Sequence, residues 1–248
     1  MLDPLQHLDR FAPHAGPVLD LPNVTSITAD DRTDGQTVGR LASVTRWHRR
    51  FLRLGREVIL SGSRPDVDGI DWVKLGKWNE HYRIAYSRWC QAELPDHFST
   101  PYVMIWQLDG FALDPQYWSS EFLGYDYIGK PEFFGVGNGG FSLRSKRFCE
   151  EARRLPRLNG TFEDWYFCVV KRSDLEGAGM QYAPAHVAAR WSGGPSLNGC
   201  FGFHYNDDRF LRVVAEKLNR LITCSERIRL QSGAEWNGRT MIHPQQPH

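Results

Sequence analysis

The run TPYVMIWQLDGF at residues 100–111 constrains this chain more than any other stretch. Its first half is apolar, β-branched or aromatic, and it passes directly into an acidic turn. That pattern predicts a fully buried strand ending in a loop. Strands buried on both faces belong to parallel sheets covered by helices. The segments before it agree. NVTSITADD predicts a first strand over 23–29, and Leu41, Val44, Trp47, Phe51 and Leu54 recur at helical spacing, predicting a helix from Gly39 to Leu54. EVILSGSRPD reads as a short second strand stopped by Gly62 and Pro65, and IDWVKLG as a third. Tyr82, Ala85, Tyr86 and Trp89 fall on one face of a second helix that Pro95 closes. The order β-α-β-β-α-β predicts an α/β fold with a mostly parallel central sheet, right-handed crossovers and flanking helices. In such sheets ligands bind at the carboxyl ends of the strands, here Thr28–Arg32, Ser61–Arg64 and Gln107–Gly110.

Beyond Asp109 the pattern changes. Short strands (YDYIG, GGFSLRS, MQYAP, CFGFH) alternate with helices expected at 145–155, 163–175 and 208–225, the last with Phe210, Val214, Leu218 and Leu221 on one face. There is no repeat and no linker, so a single domain over 23–225 is expected, with a nucleotide-binding half (23–111) and an acceptor and catalytic half (112–225). Residues 1–22 read as an irregular lead-in and 226–248 as a tail.

Charge and cysteines narrow the function. Thirty Lys and Arg against 29 Asp and Glu give a net charge of +1, which excludes a strong whole-protein field for nucleic acid or anionic membrane. One basic stretch stands out, Arg46, Arg49, Arg50, Arg53 and Arg56; it reads as a solvated face or as a local patch for nucleic acid. The start MLDPLQHLDRFAPHAGP has no basic n-region and no apolar run, and no segment is long enough to span a membrane. Five cysteines without a CxxC pair fit a reducing cytoplasm. Aromatic residues make up 13% of the chain, a surplus that serves a core or the flat apolar faces of sugars.

Four places carry candidate chemistry. Asp109, after the hydrophobic strand, suits a hard cation that neutralises a diphosphate, or simply a turn with Gly110. The loop Gly137-Asn138-Gly139-Gly140 lets backbone approach a ligand, and its spacing matches neither a Walker loop nor a dinucleotide fingerprint. Glu163-Asp164 opens a helix, where acids favour the first turn, but inverting glycosyl transfer also needs a carboxylate to take a proton from the attacking hydroxyl. His204, inside the aromatic run FGFHY, is a core residue or a ligand.

WQLDGF, FLGYDYIGKP, GVGNGGFSLRS, FEDWYFC and CFGFH, in this order, resemble a bacterial, fungal and viral family of predicted glycosyltransferases long known only as a domain of unknown function. That family is similar to GT-A glycosyltransferases, so the resemblance implies a GT-A-like single domain and a nucleotide-sugar donor, a UDP-sugar. It further implies Mn2+ or Mg2+ bridging Asp109, His204 and the diphosphate. An Asp-x-Asp motif falls on Gln107-Leu108-Asp109, with Gln107 replacing the first acid. Thr28, Asp30, Asp31, Arg32 and Ser61 are expected near base and ribose, with Gln107, Asp109, Gly139 and Gly140 completing the donor site. Asp164 matches the catalytic base and Glu163 the residue that orients the acceptor, a surface glycan or a modified base in phage DNA. An inactive carbohydrate-binding or scaffold module and a nucleotidyltransferase are the alternatives.

Overall fold

The first strand, β1 (Leu19–Asp30), is the spine of the molecule, because both of its neighbours pair with it in parallel. In the computed structural model residues 18–193 and 199–204 are described, with Leu5 and Leu8 and the backbone of 235–236 and 241–242. From Val24 to Asp30 every residue of β1 is buried, as expected of a strand covered on both faces. On one side lies β2 (Leu52–Ser61), itself paired in parallel with β3 (Asp71–Lys74); on the other lies β4 (Tyr102–Ile105). The register shifts between Leu21 and Thr25, where Pro22 cannot donate to the ladder. Gly55 on β2 meets this irregularity: a Cβ there would run into the Pro22 carbonyl.

The chain reaches β2 through α1 (Gly35–His48), capped by Asp34, whose carboxylate accepts from the Thr37 N–H at 2.8 Å. This corrects the expected helix over Gly39–Leu54 and the expected late start of the second strand. The apolar spacing of Phe51 and Leu54 fits either element, and pairing of Leu52–Leu54 with Leu19–Leu21 decides for strand. The same pairing begins β1 inside the segment read as a lead-in. The second helix, α2 (Tyr82–Ala92), leads through a short 3-10 turn (Leu94–His97) into β4.

The second half adds β5 (Tyr127–Ile128), the hairpin β6 (Pro131–Glu132) and β7 (Gly135–Val136), and β8 (Ser142–Ser145). β8 runs antiparallel to β4, and β5 antiparallel to β8, so the six-stranded sheet has the order β3-β2-β1-β4-β8-β5. The expectation of an α/β domain with a mostly parallel sheet is met. From β1 the order runs to β2 and β3 on one side and to β4 on the other. Such a switch opens a crevice at the carboxyl ends of the two diverging strands.

Helix α3 (Lys146–Arg154) starts at Ser145, whose hydroxyl accepts from the Phe148 N–H at 3.0 Å. The single helix expected at 163–175 is instead α4 (Glu163–Trp165), a wide turn with π-type hydrogen bonding (Tyr166–Val170) and α5 (Arg172–Gly177). MQYAP forms one parallel bridge, Tyr127 to Tyr182, where a strand was expected. The helix α6 (Ala185–Trp191) was not anticipated; it delivers Trp191, which stacks on Phe141 at 4.7 Å, to an aromatic core with Trp118, Phe122 and Phe201. Most of the aromatic surplus is therefore core. The final parallel pair is β9 (Ser192–Gly193) with β10 (Gly202–Phe203). The helix expected at 208–225, most of the lead-in and the tail lie outside the described residues. No described helix is long and apolar enough to cross a membrane.

Candidate active site

A cleft of about 440 Å³ opens at the switch point between β1 and β4. The Trp106 N–H donates to the Ile27 carbonyl at 3.1 Å, which holds the loop after β4 beside the end of β1. The cleft brings together Thr28, Asp30, Arg32, Gln107, Asp109, Gly139, Gly140, Glu163, Asp164 and His204, all expected from the sequence. Asp31 and Ser61 are not among its lining residues. The Asp31 carboxylate accepts from the Trp78 N–H at 3.0 Å, and the Ser61 hydroxyl accepts from the Trp72 indole at 3.1 Å and donates to the Ser63 carbonyl at 2.7 Å. Arg32 grips the buried Asp30 with two of its nitrogens, Nε at 2.9 Å and Nη2 at 2.5 Å.

His204 reaches the cleft because CFGFH lies against the loop after Asp109. Gly202 bridges Ala112, and the Phe203 N–H donates to the Phe111 carbonyl at 3.2 Å. Its imidazole lies against two glycines: a Cβ on Gly110 would meet ring carbon Cδ2 at 2.6 Å, and one on Gly140 would strike Nε2 and the Gln107 amide oxygen. The side chain is 4% exposed, yet neither ring nitrogen has a hydrogen-bond partner. Such groups are costly, since an unsatisfied buried polar atom loses about 1–3 kcal/mol. Nε2 stands 3.6 Å from Asp109 Oδ1, too long for a hydrogen bond. Two ligand atoms each about 2.1 Å from one cation lie roughly 3–4 Å apart, so this spacing fits a shared Mn2+ or Mg2+. Burial pushes the Asp109 carboxyl up, but His204 and Arg83 outweigh it and hold the group below its ordinary value. Among the described residues no three His, Cys, Asp or Glu side chains form a complete metal cage. An Asp–His pair leaves coordination sites open for phosphate oxygens and water, as suits these cations.

The other side of the cleft is built on a buried ion pair. Arg144, in the middle of β8, donates Nη2 to Glu163 Oε1 at 2.9 Å, and both side chains are buried. Its Nε donates to the Ser142 hydroxyl at 3.2 Å, and the guanidinium lies over the Tyr127 ring at 5.1 Å. A Cβ on Gly139 would strike both Glu163 Oε1 and Arg144 Nη2. Glu163 thus serves this arginine more than the helix dipole, and the N-cap of α4 is Phe162, without a side-chain cap. Asp164, half-buried beside it, has its carboxyl raised to about 6, first by burial and then by the charge of Glu163. A carboxylate at that value is suited to accepting a proton near neutral pH.

Arg144 was missed by the sequence, although a lone arginine inside the expected strand GGFSLRS was a visible signal. Tyr82, Arg83, Tyr86 and Ser87 also line the cleft. The helical spacing puts Tyr82 and Tyr86 on one face of α2, and that face borders the site. Four arginines of the basic stretch are engaged within the protein: Arg49 pairs with Glu57 at 2.6 Å, Arg46 with Asp66 at 3.5 Å, and Arg56 with Asp71. Arg50 lies over the Trp47 ring at 5.7 Å.

No curated protein matches this chain. Among solved structures it is similar to a mannosyltransferase, PcManGT from Pyrobaculum calidifontis, in complex with GDP-Man and Mn2+, at 9% identity and a TM-score of 0.43. That similarity covers 73% of this chain and 60% of the mannosyltransferase, and at such distance the nucleotide and metal remain properties of that enzyme. A family model described as protein of unknown function (DUF5672) matches residues 79–210, more than half of the chain, and to that family the chain belongs.

Proposed function

We propose that the chain is a metal-assisted, GT-A-like glycosyltransferase, moving a sugar from a nucleotide diphosphate donor, in the first instance a UDP-sugar, to a hydroxyl acceptor with inversion. One observation carries the reading. A single cleft holds a buried histidine with two unpartnered nitrogens beside a carboxylate, and also a second carboxylate raised to about 6. The first pair suits a cation that meets phosphate oxygens, and the second suits a base.

Thr28, Asp30 and Arg32 are the proposed contacts of base and ribose. Asp31 and Ser61 support that end of the sheet through Trp78 and Trp72. Gln107 and the backbone of Gly139-Gly140 lie against ribose, diphosphate and sugar. When bound, Mn2+ or Mg2+ on Asp109 and His204 supplies positive charge that stabilises the departing diphosphate. Asp164 takes the proton of the acceptor hydroxyl. The freed oxygen pair bonds to the anomeric carbon while the bond from that carbon to the phosphate oxygen breaks, and its electrons leave with the nucleotide diphosphate. Glu163, fixed by Arg144, sets the position of Asp164 and orients the acceptor.

The test is a panel of uridine, guanosine and other nucleotide sugars, scored by melting temperature with and without Mn2+ and then by release of nucleotide diphosphate. A donor well above its dissociation constant should stabilise by several kcal/mol in the presence of the cation. Donor binding with no release to water or to any acceptor identifies a binding module instead. Release of pyrophosphate from a nucleoside triphosphate identifies a nucleotidyltransferase.

A further inference from the structure

Aromatic side chains left in solvent are few among the described residues, and three of them gather where the acceptor would enter. Phe162 is 41% exposed and lines the cleft, Trp165 is 40% exposed, and Phe133 is 91% exposed. Phe162 and Trp165 flank Asp164 in sequence, and the Asp164 carboxylate accepts from the Trp165 N–H at 2.7 Å. Phe133 and Phe134 form the two-residue tip of the β6–β7 hairpin, a position normally filled by Asn, Asp or Gly. Phe134 packs on Gly137 of the glycine loop, and its ring meets Trp165 edge-on at 5.4 Å and Phe133 at 5.1 Å. An aromatic ledge therefore leads outward from the carboxylate raised as a base.

A phenylalanine as exposed as Phe133 adds nothing to the core, since apolar surface stabilises only when it leaves water. Grouped exposed apolar side chains beside a cleft mark a binding surface. The charges around the ledge describe what it binds. Lys130 pairs with Glu132 at 3.3 Å, Lys171 with Asp174 at 2.7 Å, and Arg172 with Glu176 at 2.8 Å. A polyanion needs several cations that exchange counterions for phosphates; these three are each matched by an acid of the protein, and the Arg83 guanidinium lies over the Phe162 ring at 5.3 Å. The fitting ligand is uncharged, has a flat apolar face, and presents a hydroxyl to Asp164. We infer that the ledge of Phe133, Phe134, Phe162 and Trp165 is an acceptor subsite for a neutral saccharide, whose pyranose rings stack on Trp165 and Phe133. The role of this ligand as acceptor rests on the transfer reading above; its binding to the ledge does not.

Saturation-transfer NMR on the full chain, with cellotriose, mannotriose and triacetylchitotriose as probes, tests this directly. At least one trisaccharide should bind, and Phe133→Ala or Trp165→Ala should weaken it about tenfold, the contribution of one well-placed aromatic contact. Trp165→Phe keeps a ring and should retain most of the affinity. Phe133 is too exposed for its removal to unfold the protein, so a null result there cannot be blamed on misfolding. Absence of binding by all three probes, or binding unchanged in both alanine variants, overturns the subsite. So does loss, in those variants, of binding to single-stranded oligonucleotides or to phosphatidylglycerol vesicles in place of sugar. The assay needs neither donor nor turnover. A protein that stacks saccharides but transfers nothing keeps the ledge and loses the reaction; a transferase whose acceptor KM ignores both substitutions keeps the reaction and loses the ledge.

Discussion

Asp164→Asn separates catalysis from folding within one variant. The asparagine keeps the shape of the side chain and its hydrogen bond to the Trp165 N–H, but it cannot take a proton. In the protein, burial and then the charge of Glu163 raise the Asp164 carboxyl from 3.8 to about 6. At 1.36 kcal/mol per pH unit this corresponds to about 3 kcal/mol, and a side chain still partly in water keeps a fraction, about 1–2 kcal/mol. The folded state holds its proton more tightly than the unfolded chain. The stabilisation is therefore complete below 3.8 and lost as pH rises through about 6. At neutral pH the wild type bears the cost of a desolvated charge that asparagine lacks. Asp164→Asn should be more stable than wild type by about 1–2 kcal/mol in urea melts near pH 7.5, with the difference gone near pH 4. Turnover should fall by roughly two to four orders of magnitude, and the acid limb of wild-type kcat/KM should sit near pH 6. An acid that merely favoured a helix N-terminus would give the opposite sign, a loss of about 1 kcal/mol or less and no loss of turnover. A less stable asparagine variant with near-normal turnover refutes the assignment.

The metal pair predicts that chelator abolishes transfer and Mn2+ restores it. His204→Leu should lose the Mn2+-dependent rise in melting temperature; a retained cation response refutes the histidine as ligand. Arg144→Met leaves Glu163 buried without its partner and should cost about 3–5 kcal/mol in chemical denaturation, much of it recovered in Arg144→Met/Glu163→Leu. Equal losses in the single and double variants would show that the pair is not coupled. Gly139→Ala and Gly140→Ala drive a methyl group into Glu163 and Arg144, or into His204 and Gln107. Each should lower turnover about a hundredfold, as expected of small misplacements at a reacting centre, and wild-type rates in either would remove the loop from the mechanism.

The sheet was legible because buried parallel strands are written as continuous apolar runs, as in VMIW and EVIL. The boundary between α1 and β2 was not, since Phe51 and Leu54 satisfy both a helical and an extended spacing. Only the pairing of Leu52 with Leu19, across more than thirty residues of sequence, resolves it. The donor residues divide for a similar reason. Asp30 ends β1 and lines the cleft, while Asp31, just beyond the strand, turns to the Trp78 N–H. No property of the pair DD says which is which. The Arg144–Glu163 bond joins residues 19 apart on a strand and a helix, and reads in the sequence only as an arginine out of place. The exposed ledge was hidden by composition, because most of the aromatic residues around it are core.

The glycine loop explains why these scattered residues act as one site. Gly139 has Glu163 and Arg144 behind it, and Gly140 has His204 and Gln107. The Ser142 hydroxyl donates to the Gly139 carbonyl at 2.8 Å, which ties the loop to β8, the strand that carries Arg144. Two adjacent residues without side chains therefore set the spacing between Glu163 and Arg144 on one side and His204 and Gln107 on the other. A side chain at Gly139 would strike Glu163 and Arg144, and one at Gly140 would strike His204 and Gln107. Gln107 belongs to this arrangement: its amide oxygen and His204 Nε2 both lie against Gly140, so that a methyl group there would strike both.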